Sequence, residues 1–186
     1  ASRCALVVSV MLGMLAASLP AAVQEPQKVF RVGHLAAPGR TPDGAPPRVL
    51  REALRELGYV EGQNIAYEAR FAEGKLERLP DLAAELVRLK VVLIVSFGTQ
   101  VVMEAKTATE TIPIVMIGVR DPVGTGLIAS LARPGGNITG VSGSAGLAIV
   151  TKQLELLKDT VPKIRRVAIL SNPANAYHQL AIKELN

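Results

Sequence analysis

Between residues 91 and 123 the chain reads VVLIVSFGTQVVMEAKTATETIPIVMIGVRDPV, and no other stretch limits the fold as much. Residues 91–95 are a continuous β-branched and aliphatic run, the pattern of a parallel strand covered on both faces. Ser96-Phe97-Gly98-Thr99 then makes a turn into a helix expected over 99–108. A second apolar run, 112–117, ends in Gly118-Val119-Arg120-Asp121-Pro122. Asp followed by Pro is a helix-start signal, with Asp as N-cap and Pro at the first helical position. Two strand ends thus each lead into a helix N-terminus. In open α/β sheets small ligands bind at that edge, and the free N–H groups of helix N-termini favour anions.

The rest of the chain repeats the pattern. A strand is expected over 29–35, then a Pro/Gly loop over 36–47. An amphipathic helix over 48–57 places Leu50, Ala53, Leu54 and Leu57 on one face and stops at Gly58. Residues 64–71 alternate as a second strand, and 79–89 form a helix with Leu79, Leu82, Ala83, Leu86 and Leu89 apolar. A helix over 123–132, halted by Pro134-Gly135-Gly136, and a short strand over 137–141 complete the unit. Strands alternating with helices at this spacing predict a parallel sheet with helices on both faces. Beyond it come a small-residue crossover, a helix over 147–157, a strand over 166–170 and a helix over 174–185. These resemble the start of a second α/β lobe.

Several function classes are disfavoured by composition. Three Phe, three Tyr and no Trp leave little for a base-stacking platform, and the net charge of +5 is spread over mixed-sign helices. Nucleic-acid binding is therefore not expected. The single cysteine, Cys4, permits neither an internal disulfide nor a cysteine metal site. Arg3, the apolar run 5–19 and Pro20-Ala21-Ala22 match a secretory signal peptide over residues 1–22.

Three runs carry a family resemblance: LRELGYVEGQNI (54–65), EGKLERLPDLAAELVRLKV (73–91) and DPVGTGLIASLARPGGNITG (121–140). Together they resemble the ABC-transporter substrate-binding proteins of the tryptophan/tyrosine-type uptake group. SNPAN (171–175) stands where that family begins its second lobe. The resemblance implies a Rossmann-like parallel sheet flanked by helices, the first lobe of a type I periplasmic-binding fold, over 29–141. A hinge crossover and an incomplete second lobe follow over 142–186, with hinge crossings near 141–145. It implies an exported, periplasmic protein that holds a small solute, an aromatic amino acid among the candidates, between two lobes and docks onto a membrane permease. No cofactor or metal is expected.

The same resemblance implies ligand contacts from Ser96, Gly98, Thr99 and Gln100 after the third strand. It adds Asp121, Pro122 and Val123 after the fourth strand, and Asn172 in the second lobe. Ala36-Ala37-Pro38-Gly39 lacks the hydroxyls that the family often carries after its first strand, so contacts are not expected there.

Read from the residues alone, Gly98-Thr99-Gln100 suits an anion held by backbone N–H groups, or a plain helix cap made by Thr99 or Ser96. Asp121 reads as an N-cap that can also meet a ligand ammonium, and Arg120 as a solvated rim charge or a carboxylate partner. His34 and His178 read as structural and exposed respectively. Gly124-Thr125-Gly126-Leu127-Ile128-Ala129 matches a dinucleotide fingerprint in letters. Its glycines fall inside the expected helix, however, and no acid stands at Ser142-Gly143-Ser144, where a ribose partner belongs. Asn137-Ile138-Thr139 fits a glycosylation sequon but opens an expected strand. No Ser-His-Asp set, useful carboxylate pair or His-x-x-x-His pattern occurs. The alternatives are an α/β enzyme using nucleotide or phosphate, and an inactive truncated remnant.

Overall fold

The structure is a computed structural model that describes residues 28–143 and 147–185. Five parallel strands form one sheet: β1 (Phe30–Ala36), β2 (Ile65–Phe71), β3 (Leu93–Phe97), β4 (Ile114–Val119) and β5 (Ile138–Ser142). Their spatial order is β2-β1-β3-β4-β5. Helix α1 (Arg48–Glu56) joins β1 to β2, α2 (Leu79–Arg88) joins β2 to β3, and α3 (Thr99–Ala108) joins β3 to β4. Two further helices, α4 (Ala148–Thr160) and α5 (Ala176–Leu185), follow β5. The expected α/β architecture with a parallel sheet is the one observed.

Strand order reverses between β1 and β3. Right-handed crossovers that run in opposite directions from this point place their helices on opposite faces. On one face, Leu79, Leu82, Ala83 and Leu86 of α2 and Val101, Val102 and Ala105 of α3 bury against Leu35, Ile94, Ile114 and Met116. Each fully buried Leu or Ile contributes about 1.5–3 kcal/mol relative to exposure. On the other face, Leu50 and Leu54 of α1 pack on Val32, Ile65 and Val95. Helix α1 covers only that part of the face. Phe97, Ile117 and Val141 lie in register across β3, β4 and β5, and all three are exposed.

The structure departs from expectation in three places. Residues 123–132 are turns, not a helix. Two glycines within three residues each cost a helix about 1 kcal/mol relative to Ala, and Gly126 takes φ 73°, which a helix cannot use. The N–H groups of Leu127 and Ile128 both donate to the Pro122 carbonyl (2.9 and 3.1 Å). Lys106 Nζ donates to the Gly126 and Leu127 carbonyls (2.7 and 3.2 Å), so the chain satisfies its polar groups without helical bonds. Leu127 and Ile128 still reach the core.

Second, residues 166–170 form no strand. An extended segment needs a neighbour for its N–H and C=O groups, and no strand of the sheet pairs with this one. Third, β3 and β4 sit about two residues later than the apolar runs suggested, which moves Ser96 and Phe97 from the turn into β3. The expected signal peptide (1–22) and part of the expected hinge (144–145) lie outside the described residues.

Candidate functional site

The carboxyl ends of β3 and β4 are adjacent, and the turns that follow them are joined. Gly98 is the N-cap of α3 with φ 86° and ψ 154°, a left-handed conformation that favours glycine. Its N–H donates to the Ile117 carbonyl of β4 (3.0 Å). No side chain caps α3. Thr99, one of the two expected caps, is buried and accepts the Arg120 N–H at its Oγ1 (3.4 Å), which ties the β3 turn to the β4 turn. The N–H groups of the first turn of α3 therefore have no partner from a capping side chain, the arrangement that favours an anion.

The eight sequence-derived site residues are distributed unevenly. Gly98, Thr99 and Gln100 lie together at the start of α3. Ser96 lies in β3, fully buried, and its Oγ has no hydrogen-bond partner. Asp121 adopts φ 43°, and its Oδ1 accepts the Gly124 N–H (2.9 Å). This carboxylate thus organises its own turn, with Pro122 buried and Val123 exposed beside it. Asn172 also holds a local turn: its Oδ1 accepts the Ala174 N–H (2.9 Å), and its own N–H donates to His178 Nδ1 (2.9 Å).

A cavity of about 350 Å³ opens between the carboxyl end of β4 and the two C-terminal helices, with Arg120, Gly143, Ile149, Ser171, Tyr177 and His178 among its lining. None of the eight residues lines it; Arg120 and Ser171 adjoin two of them in sequence. The Arg120 guanidinium lies 5.4 Å above the centre of the Tyr177 ring, and Tyr177 is buried. Arg120 and Tyr177 are far apart in the chain, and neither periodicity nor motif spacing could have paired them. The one usable signal was the place of Arg120 directly after a strand.

His34 is buried on the α1 face, edge-on to Phe71 with ring centroids 5.9 Å apart. Burial holds its pKa below the ordinary histidine value, while a hydrogen bond involving the Val95 backbone acts in the opposite direction. A neutral, buried imidazole of this kind is structural. Among the described residues there is no cluster of three His, Cys, Asp or Glu side chains able to hold a metal ion, and no helix is long and apolar enough to cross a membrane.

Residues 48–186 match the model of the family "ABC transporter substrate binding protein". The chain belongs to that family. It is similar to the tyrosine-binding protein of Clostridioides difficile, with 33% identity over 135 residues, 73% of this chain and 38% of that protein. Its fold matches a conserved domain protein from Vibrio cholerae (TM-score 0.70, 30% identity, 85% of this chain and 52% of that one). It also matches a domain from Streptococcus pneumoniae solved with L-Trp (TM-score 0.69, 23% identity, 84% and 52%); at that identity the likeness concerns the fold alone. A ligand-free, open substrate-binding protein with adhesive properties from Clostridium difficile is similar too (TM-score 0.60, 28% identity, 84% and 52%). This member of the substrate-binding family spans about half the length of the solved relatives it matches.

Proposed function

We propose that this chain is the solute-binding part of an ABC uptake system and presents the carboxyl edge of its sheet to a small solute outside the cytoplasm. The observation that supports this best is the junction of the two turns: the uncapped start of α3 stands beside the β4 turn, locked to it through Thr99 and Arg120. Such a rigid edge, with oriented N–H groups and little side-chain entropy left to lose, suits a carboxylate-bearing ligand. Gly98, Thr99, Gln100 and Asp121 are the contacts proposed on this side, with Pro122 and Val123 shaping the rim. Ser96 backs the turn from within the sheet, and Asn172 belongs to the opposite wall.

On this reading residues 29–141 are the first lobe and 142–186 the crossover and the beginning of a second lobe. Residues 1–22 act as an export signal, and a membrane permease is the docking partner. The name of the Clostridioides difficile tyrosine-binding protein favours an aromatic amino acid as the solute.

A cleft ligand draws affinity from both walls while losing its translational freedom once. With half its net binding free energy gone, a micromolar ligand falls to about the millimolar range. Calorimetry with an amino-acid panel, on the 186-residue chain and on a chain extended by a complete second lobe, is the test. Weak or undetectable binding by the first and clear binding of one amino acid by the second is the expected result. Tight binding by the shorter chain would contradict the two-walled cleft.

A further inference from the structure

We propose that the cavity beneath Arg120 is a seat for a small monocarboxylate with an apolar body, and that the Arg120 side chain is the group that recognises the carboxylate. The proposal rests on the solute-binding reading and adds to it a ligand class and a recognition residue that the family motifs do not point to.

The proposal is carried by the surroundings of Arg120 and by the lining of the cavity. Arg120 has no ion-pair partner among the described residues. Its guanidinium carbon lies 5.4 Å from the centroid of the buried Tyr177 ring, within cation–π range. The one hydrogen bond Arg120 makes among the described residues is from its backbone N–H, so its side-chain N–H donors are available to a planar, two-oxygen acceptor. The ring also restricts the guanidinium before any ligand arrives, so less side-chain freedom is lost on binding.

His178 supplies a second donor. Its Nδ1 accepts the Asn172 N–H (2.9 Å), so in the neutral ring the proton sits on Nε2. His178 lines the same cavity as Arg120. The remaining wall is largely aliphatic, with Ile149, Val150 and Ile182 contributing. Among the described residues no lining residue is an Asp or Glu, and the groups they present, Arg120 and His178, suit an anion. Its volume of about 350 Å³ lies within the range of small-ligand sites.

The test is a titration of the 186-residue chain followed by amide NMR, using hydrocinnamate and its neutral isostere hydrocinnamamide. Hydrocinnamate should move the signals of Arg120, Tyr177 and His178 and bind about tenfold more tightly than the amide, the usual scale of a charge-assisted hydrogen bond. In Arg120→Gln the two probes should bind equally, and Arg120→Lys should keep part of the preference, since it retains charge without the planar fork. Arg120 is exposed, so these variants should fold, and unchanged signals from β1 and α2 verify it. Equal affinity for both probes in the unaltered chain, a preference that survives in Arg120→Gln, or no shift at these residues would each overturn the proposal.

A parallel arm with L-tyrosine separates this proposal from the reading beneath it. L-tyrosine shifts at Gly98 and Thr99, together with no Arg120-dependent preference for hydrocinnamate, would sink the Arg120 seat and leave solute binding standing. An Arg120-dependent preference for hydrocinnamate, with no response to L-tyrosine even in a chain extended by a complete second lobe, would keep the seat and remove the amino-acid reading.

Discussion

The helices packed on the sheet, α2 and α3, and the C-terminal pair, α4 and α5, have similar apolar content but use it differently. Helices α2 and α3 each bury four residues against the strands. Helix α4 buries none, and α5 buries only Tyr177. The exposed large hydrophobic residues include Leu154 and Leu156 of α4, and Val161, Val167, Ile169 and Leu170 between α4 and α5. Apolar spacing along a helix stabilises only when a facing surface removes it from water. In the sheet region each βα unit supplies that surface to the next. Around α4 the segment 166–170 offers none, because a lone extended segment has no ladder to join.

The largest expected effect lies on the sheet side. Ile114 is fully buried between β3 and β5, so Ile114→Asp should abolish cooperative folding by placing an unpaired charge in the core; circular dichroism melts check this. Val115, its neighbour on the other face, is only half-buried and is the milder site. Next in size is a paired truncation. Leu86→Ala in α2 should cost about 2–5 kcal/mol in denaturant unfolding, while Leu156→Ala in α4 should stay within about 0.5 kcal/mol. Equal costs would break the contrast between the regions.

A smaller effect concerns the turn that replaced an expected helix. Lys106→Met removes the donor to the Gly126 and Leu127 carbonyls and should cost about 1 kcal/mol, read in the same unfolding assay. The smallest is a pH slope. Burial holds the folded-state pKa of His34 below its unfolded value of 6.5. Above that value both states are neutral and His34 adds no slope. As pH falls below it the unfolded chain takes up the proton first, so stability declines until the folded pKa is reached. Comparing unfolding free energies across this window in the native chain and in His34→Gln should show the slope reduced in the variant.

Much of this was readable from local pattern. The strands follow β-branched runs, and the α3 helix falls where its spacing placed it, at Thr99–Ala108. The offset of β3 has a physical cause. Its apolar run starts in the approach, where Val91 is already buried in the core and the Val92 N–H donates to the Arg31 carbonyl (2.8 Å). The strand then continues through Ser96 and Phe97 until Gly98 turns the chain. That is why Ser96 is sealed inside the sheet. Residues 123–132 had helical apolar spacing, but the glycine cost and the Lys106 contacts, which come from another element, decided against a helix. The meeting of Arg120 with Tyr177 depends on how α5 docks, and no local pattern encodes it.

If the joined turns after β3 and β4 hold the solute and the region after β5 is only loosely secured, the two should differ in exchange and in their response to ligand. Hydrogen–deuterium exchange of the 186-residue chain, with and without L-tryptophan at millimolar concentration, tests both halves at once. Strong protection is expected in β1, β3 and β4 and weak protection across 147–185, with added ligand slowing exchange at residues 98–102 and 119–124. Strong protection throughout 147–185, or ligand-induced slowing confined to segments away from those two turns, would contradict it.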